Sequence, residues 1–203
     1  PTATNLTQTV PFTEDGGSVA LGDIVVTDVD GDTVTATLTL GDSAAGSLST
    51  GTFGSATSTY NAGTGVWTVT GSVSDVNAAL AAVAFTPSEH WDQDVTITTR
   101  IRDASDAGPA DGTITLDVTA VNDAPTATNL TQTVPFTEDG GSVAIGDIVV
   151  TDVDSNETIT ATLTLSDSNA GALTTGTFGL STSSFSNGEW AVTGTVADVN
   201  AAL

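Results

Sequence analysis

Along residues 33–40 apolar and polar positions alternate without a break: Val34, Ala36, Leu38 and Leu40 fall on one face and threonines on the other. A period of two sends every second side chain to the same side, so this run predicts a half-buried strand. The pattern returns at 95–102, where Val95, Ile97, Thr99 and Ile101 share a face, at 113–119 with Ile114, Leu116 and Val118, and around Trp67 and Val69. Threonine fills most outward positions, because a β-branched polar side chain suits a pleated surface without adding apolar area. A different period appears at 74–83, where Val76, Ala79, Leu80 and Val83 recur at spacings of three and four behind a cap at Ser74 or Asp75; it predicts one short helix. One helix among many short strands, with turn residues between them at regular intervals, is the pattern of a β-sandwich.

The pattern itself repeats. Residues 1–30 recur at 125–154 with one difference, Leu21 against Ile145. Beyond that the copies differ by small insertions and deletions that fall at turns. Asp30-Gly31-Asp32-Thr33 becomes Asp154-Ser155-Asn156-Glu157-Thr158, and the stretch between Ser55 and Val66 is two residues shorter before Trp190, the counterpart of Trp67. Length changes confined to turns mark the intervening strands as the packed part. Two tandem sandwiches with one short helix per repeat are therefore expected, residues 1–124 and residues 125–203. The second copy stops at Leu203, the counterpart of Leu80, and so lacks the last strands of the first. Those strands are absent either because the given chain stops short, or because a neighbouring chain supplies them by strand addition. Opening on Pro1 rather than Met, the chain reads as a piece of something longer.

Composition narrows the partners. Twenty-five acidic residues stand against two basic ones, for a formal net charge of -23 and a pI near 4.1. With Arg100 and Arg102 alone against that excess, nothing neutralises phosphates, which excludes nucleic acid and anionic membrane surfaces and leaves cations as natural partners. No cysteine is present, which removes disulfides, zinc–thiolate sites and cysteine nucleophiles. No apolar run is long enough to insert in a membrane, and no signal peptide is recognisable. Charge of this size could mean disorder, but a 38% hydrophobic fraction in regular alternation argues for a fold. Isopeptide cross-links between Lys and Asn are impossible without lysine.

Where the acid sits matters more than its sum. Aspartate dominates over glutamate, and aspartate favours turns and short ligand loops. It gathers at Glu14-Asp15-Gly16-Gly17, at Asp28-Val29-Asp30-Gly31-Asp32, at 103–109, and at Asn122-Asp123 beside the repeat boundary; the first two clusters recur at 137–141 and 152–157. The D-x-D-x-D start overlaps an EF-hand loop, but Thr33 stands where that loop needs glycine and a strand follows at once. Each cluster alone could be a solvated turn. Together, without lysine, gathered carboxylates repel unless a cation sits between them. Salt adaptation would scatter acid over the strand faces, where this chain has threonine. Oxygen-only ligands on flexible loops point to a hard cation, and calcium tolerates six to eight of them.

At these residues the chain resembles a family. The run Arg102-Asp103-Ala104-Ser105-Asp106-Ala107-Gly108-Pro109, a strand, then Val121-Asn122-Asp123-Ala124-Pro125 looks like the end of a cadherin-type domain, and Glu14 followed by Asp28 and Asp30 is in that family's order. The Asn77-Ala78-Ala79-Leu80 helix and the Asn-Asp-Ala-Pro linker look more like the bacterial cadherin-like repeats of large RTX-type secreted surface adhesins than like animal cadherins. The resemblance covers both copies. It implies all-β, tandem cadherin-like or Ig-like Greek-key sandwiches with Ca2+ bound at domain ends. Carried over residue by residue, one calcium set would be Glu14, Asn122, Asp123, Asp152 and Asp154, and Asp28, Asp30 and Asp103 would form half of the preceding one. The family's further acidic triplet has only loose candidates in Glu89, Asp92 and Asp94. The implied role is a non-enzymatic, calcium-rigidified spacer of a bacterial extracellular adhesin or surface filament. It would be secreted by a type I route, would serve cell adhesion or biofilm, and would neighbour repeats of its own chain or identical chains assembled by strand addition or into filaments.

Two competing functions are set against it. An enzyme would need a partner for His90, the single histidine, and none is evident in the sequence. Paired carboxylates could serve a glycosidase, but these repeat with the domain and sit at turns. A carbohydrate- or surface-binding β-sandwich module could stack Trp67, Trp91, Trp190 and Tyr60 on sugars, although the strand positions of Trp67 and Trp190 favour the core. Asn5, Asn129 and Asn156 lie in N-x-Thr sequons, which carry little weight in a bacterial chain.

Overall fold

The alternating runs are strands in a computed structural model of the chain, which describes residues 1–154 and 157–203. Contacts divide it into two units, Pro1–Val121 and Asn122–Leu203. In chain order, unit 1 carries β1 (Thr2–Thr4), β2 (Gln8–Thr13), β3 (Val19–Ala20), β4 (Val25–Thr27), β5 (Val34–Leu40), β6 (Gly46–Leu48), β7 (Thr52–Phe53), β8 (Ala56–Thr57), β9 (Thr59–Asn61), β10 (Val66–Gly71), α1 (Val73–Ala82), β11 (Ala84–Pro87), β12 (Val95–Asp103) and β13 (Gly112–Thr119). Unit 2 carries β14 (Thr126–Thr128), β15 (Val149–Thr151), β16 (Ile159–Thr164), β17 (Thr177–Phe178), β18 (Ser181–Thr182), β19 (Ser184–Ser186), β20 (Glu189–Gly194) and α2 (Val196–Ala202). The described residues are all-β apart from these two helices, neither of which is long and apolar enough to cross a membrane.

In unit 1 a six-stranded sheet runs β2-β13-β12-β5-β10-β9, antiparallel except where β2 lies parallel to β13. A three-stranded sheet runs β3-β11-β6. Val34, Ala36, Leu38, Ile97 and Ile101 of the larger sheet, Leu48 and Phe85 of the smaller, and Val76, Ala79 and Leu80 of α1 all belong to one buried core. Thr99, on the inward face of β12, is buried too, and its hydroxyl donates to the Leu6 carbonyl at 2.9 Å, which satisfies it.

The helix starts earlier than the spacing predicts. Ser72, in extended conformation, is the N-cap, and its Oγ accepts the Asp75 N–H at 3.2 Å. Ser74 and Asp75 are already helical. Asp75 instead turns its carboxylate to the Ser55 hydroxyl at 2.9 Å, so the tight turn at Gly54 and the helix start are joined by a contact between distant residues.

Unit 2 keeps the counterparts of β1, β4, β5, β7, β8, β9, β10 and α1 and lacks those of β2, β3 and β6, although the sequence of that stretch barely changes. The ladders explain the loss. In unit 1, β2 pairs with β13, while β3 and β6 both pair with β11, and these partners have no counterpart in residues 125–203. A strand is a pairing as much as a conformation, so without the partner the same residues do not close a ladder. The buried core here is correspondingly small: Val150, Ile159, Trp190, Val192 and Val199.

Candidate metal centre

The Asp28-Val29-Asp30 turn follows β4, and its geometry is set by Asp28. Its Oδ1 accepts the Asp30 N–H at 2.9 Å and the Gly31 N–H at 3.1 Å, an Asx turn that leaves Oδ2 pointing elsewhere. That oxygen lies 3.0 Å from the Pro1 nitrogen, and Asp103 Oδ2 lies 4.0 Å from the same nitrogen. Asp103 is oriented the same way: its Oδ1 accepts the Ser105 and Ala107 N–H groups at 2.8 and 2.9 Å, which frees Oδ2. Two carboxylate oxygens, Asp28 Oδ2 and Asp103 Oδ2, thus converge on the same point beside Pro1.

Unit 2 repeats the loop with a different occupant. Asp152 Oδ1 accepts the Asp154 N–H at 3.1 Å, Asp154 Oδ2 accepts the Asp123 N–H at 2.6 Å, and the Asn122 side-chain amide donates to the Asp123 carbonyl at 2.6 Å. Asn122, Asp123, Asp152 and Asp154 therefore form one connected cluster. Asp152 Oδ2, the counterpart of the Asp28 oxygen that faces Pro1, is buried and has no hydrogen-bond partner among the described residues. Ser155 and Asn156, which complete this loop in the sequence and include one sequon, lie outside the described residues.

Glu14 takes a different place from Asp28 and Asp103. Its side chain is buried, its Oε2 accepts the Val121 N–H at 2.9 Å, and its own N–H donates to the Thr119 carbonyl at 3.0 Å. One carboxylate oxygen of Glu14, one of Asp15 and a ring nitrogen of His90 lie within 4.8 Å of one another. His90 Nδ1 is 3.6 Å from Asp15 Oδ2, and its Nε2 is 3.6 Å from Glu89 Oε1. Asp15 was expected beside Glu14 as part of its acidic turn, whereas His90 was not expected here. They are 75 residues apart, and no local pattern links them. An imidazole in the set departs from an oxygen-only site and fits transition metals better than calcium.

Several other candidates have structural work. Asp94 Oδ1 accepts the Val118 N–H at 2.9 Å. Trp67 and Trp190 are buried, their indole N–H groups donating to the Ser49 and Thr174 carbonyls at 2.9 Å each. The Tyr60 hydroxyl donates to the Gly46 carbonyl at 3.0 Å. The sequon residues Asn5 and Asn129 both spend their side-chain amides on backbone carbonyls, at Asp23 and Asp147.

No protein-family model matches the chain, and neither a curated protein nor a solved structure is found to be similar to it.

Proposed function

We propose that this chain is a calcium-binding, non-enzymatic spacer segment of a bacterial extracellular adhesin or surface filament, each repeat a cadherin-like Greek-key sandwich. The observation that carries the reading is Asp152 Oδ2. A buried carboxylate oxygen with no donor costs about 1–3 kcal/mol or more, so the loop is poised for a cation that removes the cost. The residues linked to Asp152 by hydrogen bonds carry ligand types that suit calcium. Asp152, Asp154 and Asp123 supply carboxylates and Asn122 a side-chain carbonyl, all oxygen and all on loop or linker segments. The first copy supports the same reading, since Asp28 Oδ2 and Asp103 Oδ2 converge on one point, 3.0 and 4.0 Å from the Pro1 nitrogen.

Bound calcium would supply a shared positive charge for these oxygens. The residues do the rest. Asp154 holds the linker through the Asp123 N–H, and Asp152 orders the turn from which Asp154 reaches it. Cation binding would therefore fix Asn122 and Asp123 to unit 2 and stiffen the stretch that leads into it. Near-identity of residues 1–30 and 125–154 supports a tandem array, and the resemblance to RTX-type adhesin repeats supports the extracellular setting. The rival carbohydrate-binding reading loses Trp67 and Trp190 to the core.

Calorimetric titration tests the proposal. Calcium should bind saturably in the range of about 0.1–1 mM, as extracellular modules do, magnesium should not replace it, and Asp152→Asn should abolish the binding assigned to unit 2. Unchanged binding in Asp152→Asn, or no calcium heat at all, overturns it.

A further inference from the structure

The turn after β2 and the loop after β11 meet, although Asp15 and His90 stand 75 residues apart. Strand pairing brings them together. β3 pairs with β11, Val19 opposite Phe85, and just beyond that ladder the Ser18 and Thr86 hydroxyls lie 2.7 Å apart. On its other side β2 runs parallel to β13, so Glu14, one residue past Thr13, reaches the end of β13. There its N–H donates to the Thr119 carbonyl and its Oε2 accepts the Val121 N–H. Both ladders lie within unit 1, and together they fix where Glu14, Asp15 and His90 stand.

These side chains carry features that a solvated turn does not need. Glu14 is 2% exposed, and a buried carboxylate is costly without a positive partner. The two arginines are spent elsewhere, both on Asp106 and Asp111. Asp15 gives one oxygen to the backbone, its Oδ1 accepting the His90 N–H at 3.3 Å, and turns Oδ2 to the His90 ring. That oxygen lies 3.6 Å from Nδ1, too far for a hydrogen bond. The gap is close to the roughly 3.4 Å that separates two ligands of one tetrahedral zinc, each about 2.0–2.1 Å from the metal. The other ring nitrogen, Nε2, faces Glu89 Oε1 at 3.6 Å, on the side where a metal-bound imidazole keeps its proton and a carboxylate orients it.

We infer that Glu14, Asp15 and His90 form a zinc site of unit 1, with His90 Nδ1 and one oxygen from each carboxylate as ligands and a water in the fourth position. The donor set decides the ion. A neutral imidazole beside two carboxylates suits zinc, whereas calcium takes six to eight oxygens and magnesium keeps its waters. The two charges of the ion balance the two carboxylates, the buried one included. One ligand atom from each residue lies within 4.8 Å of the others, so closing on the metal shortens the farthest pair by at most about 1.4 Å. Asp15 and His90, at 38% and 35% exposed, have the freedom to make that shift. The site shares no residue with the Asp152 group, so it stands whether or not that group takes calcium.

The test uses the tag-free 203-residue chain, stripped of metal and then held in saturating calcium, so that oxygen-only sites are filled before zinc is added. Calorimetric titration should give one zinc per chain. His90 is the single histidine, so its ring signals in a 1H–15N NMR spectrum need no assignment; zinc should shift Nδ1 and leave Nε2 protonated. His90→Ala and Asp15→Asn, both at partly exposed side chains, should each weaken zinc by about tenfold or more, because losing a ligand costs at least what losing its outer partner does. Glu14→Gln, which keeps the acceptor for the Val121 N–H, should weaken it similarly. No zinc uptake in calcium, zinc that calcium displaces, zinc bound as tightly by His90→Ala, or an unshifted His90 ring each overturns the inference and leaves Asp15 and His90 as an ion pair alone.

Discussion

Asn77→Ala isolates a contact that ties the helix to the sheet in unit 1. The Asn77 side chain acts as a short strand of its own: Oδ1 accepts the Val26 N–H at 2.8 Å and Nδ2 donates to the Val26 carbonyl at 2.9 Å, with Val26 fully buried. Truncation to alanine leaves both backbone groups without a partner. Each unmade bond costs about 1–3 kcal/mol, and since Asn77 itself is half-buried, water reaches one group more easily than the other. The expected sum is about 3 kcal/mol, which for a unit of this size lowers the melting temperature by about 10–15 °C. Asn77→Asp should not rescue it. It keeps an acceptor for the Val26 N–H but sets a carboxylate against the Val26 carbonyl. Urea and thermal unfolding followed by tryptophan fluorescence read the effect; with Trp190→Phe in the background, the remaining tryptophans, Trp67 and Trp91, both report on unit 1. A loss under about 1 kcal/mol would refute the claim that this amide, rather than the apolar face of α1, fixes the helix to β4.

Three further outcomes are expected. The matched Asn200→Ala, which breaks the bonds to Val150 at 2.7 and 2.8 Å, should destabilise unit 2 by less than Asn77→Ala does unit 1, because Val150 is 8% exposed; hydrogen exchange resolves the two units. Trp67→Phe should cost about 1–2 kcal/mol for the lost bond to Ser49, and Trp67→Ala about 3–5 kcal/mol, by urea unfolding. Gly112→Ala should cost about 1–3 kcal/mol, since a Cβ there would clash with the Leu6 carbonyl oxygen; an unchanged unfolding midpoint would show that the bend at Leu6 shifts freely.

The strands with strict alternation were legible because burial of one face leaves a mark every second residue: 33–40, 95–102 and 113–119 appear as β5, β12 and β13 within a residue or so. The helix was legible from its spacing, but its cap was not. Ser72, Ser74 and Asp75 are all capping residues, and only the backbone conformation chooses among them. At the candidate site, the turns of Asp28 and Asp152 could be expected from Asp-x-Asp alone, as could the acidity of Asp103. The grouping of Glu14 with Asp15 and His90 could not, because it joins the end of β2 to a loop far along the chain.

The sequence by itself determined the repeat, the strand periods, the acidic turns and the absence of any thiol or lysine chemistry, all of which are local or countable. Tertiary structure alone decided which of those strands exist. Residues 8–13 and 132–137 are identical, yet the first are a strand and the second are not. A strand needs a partner for its hydrogen bonds, and β13 lies more than a hundred residues from β2 and has no counterpart within 125–203.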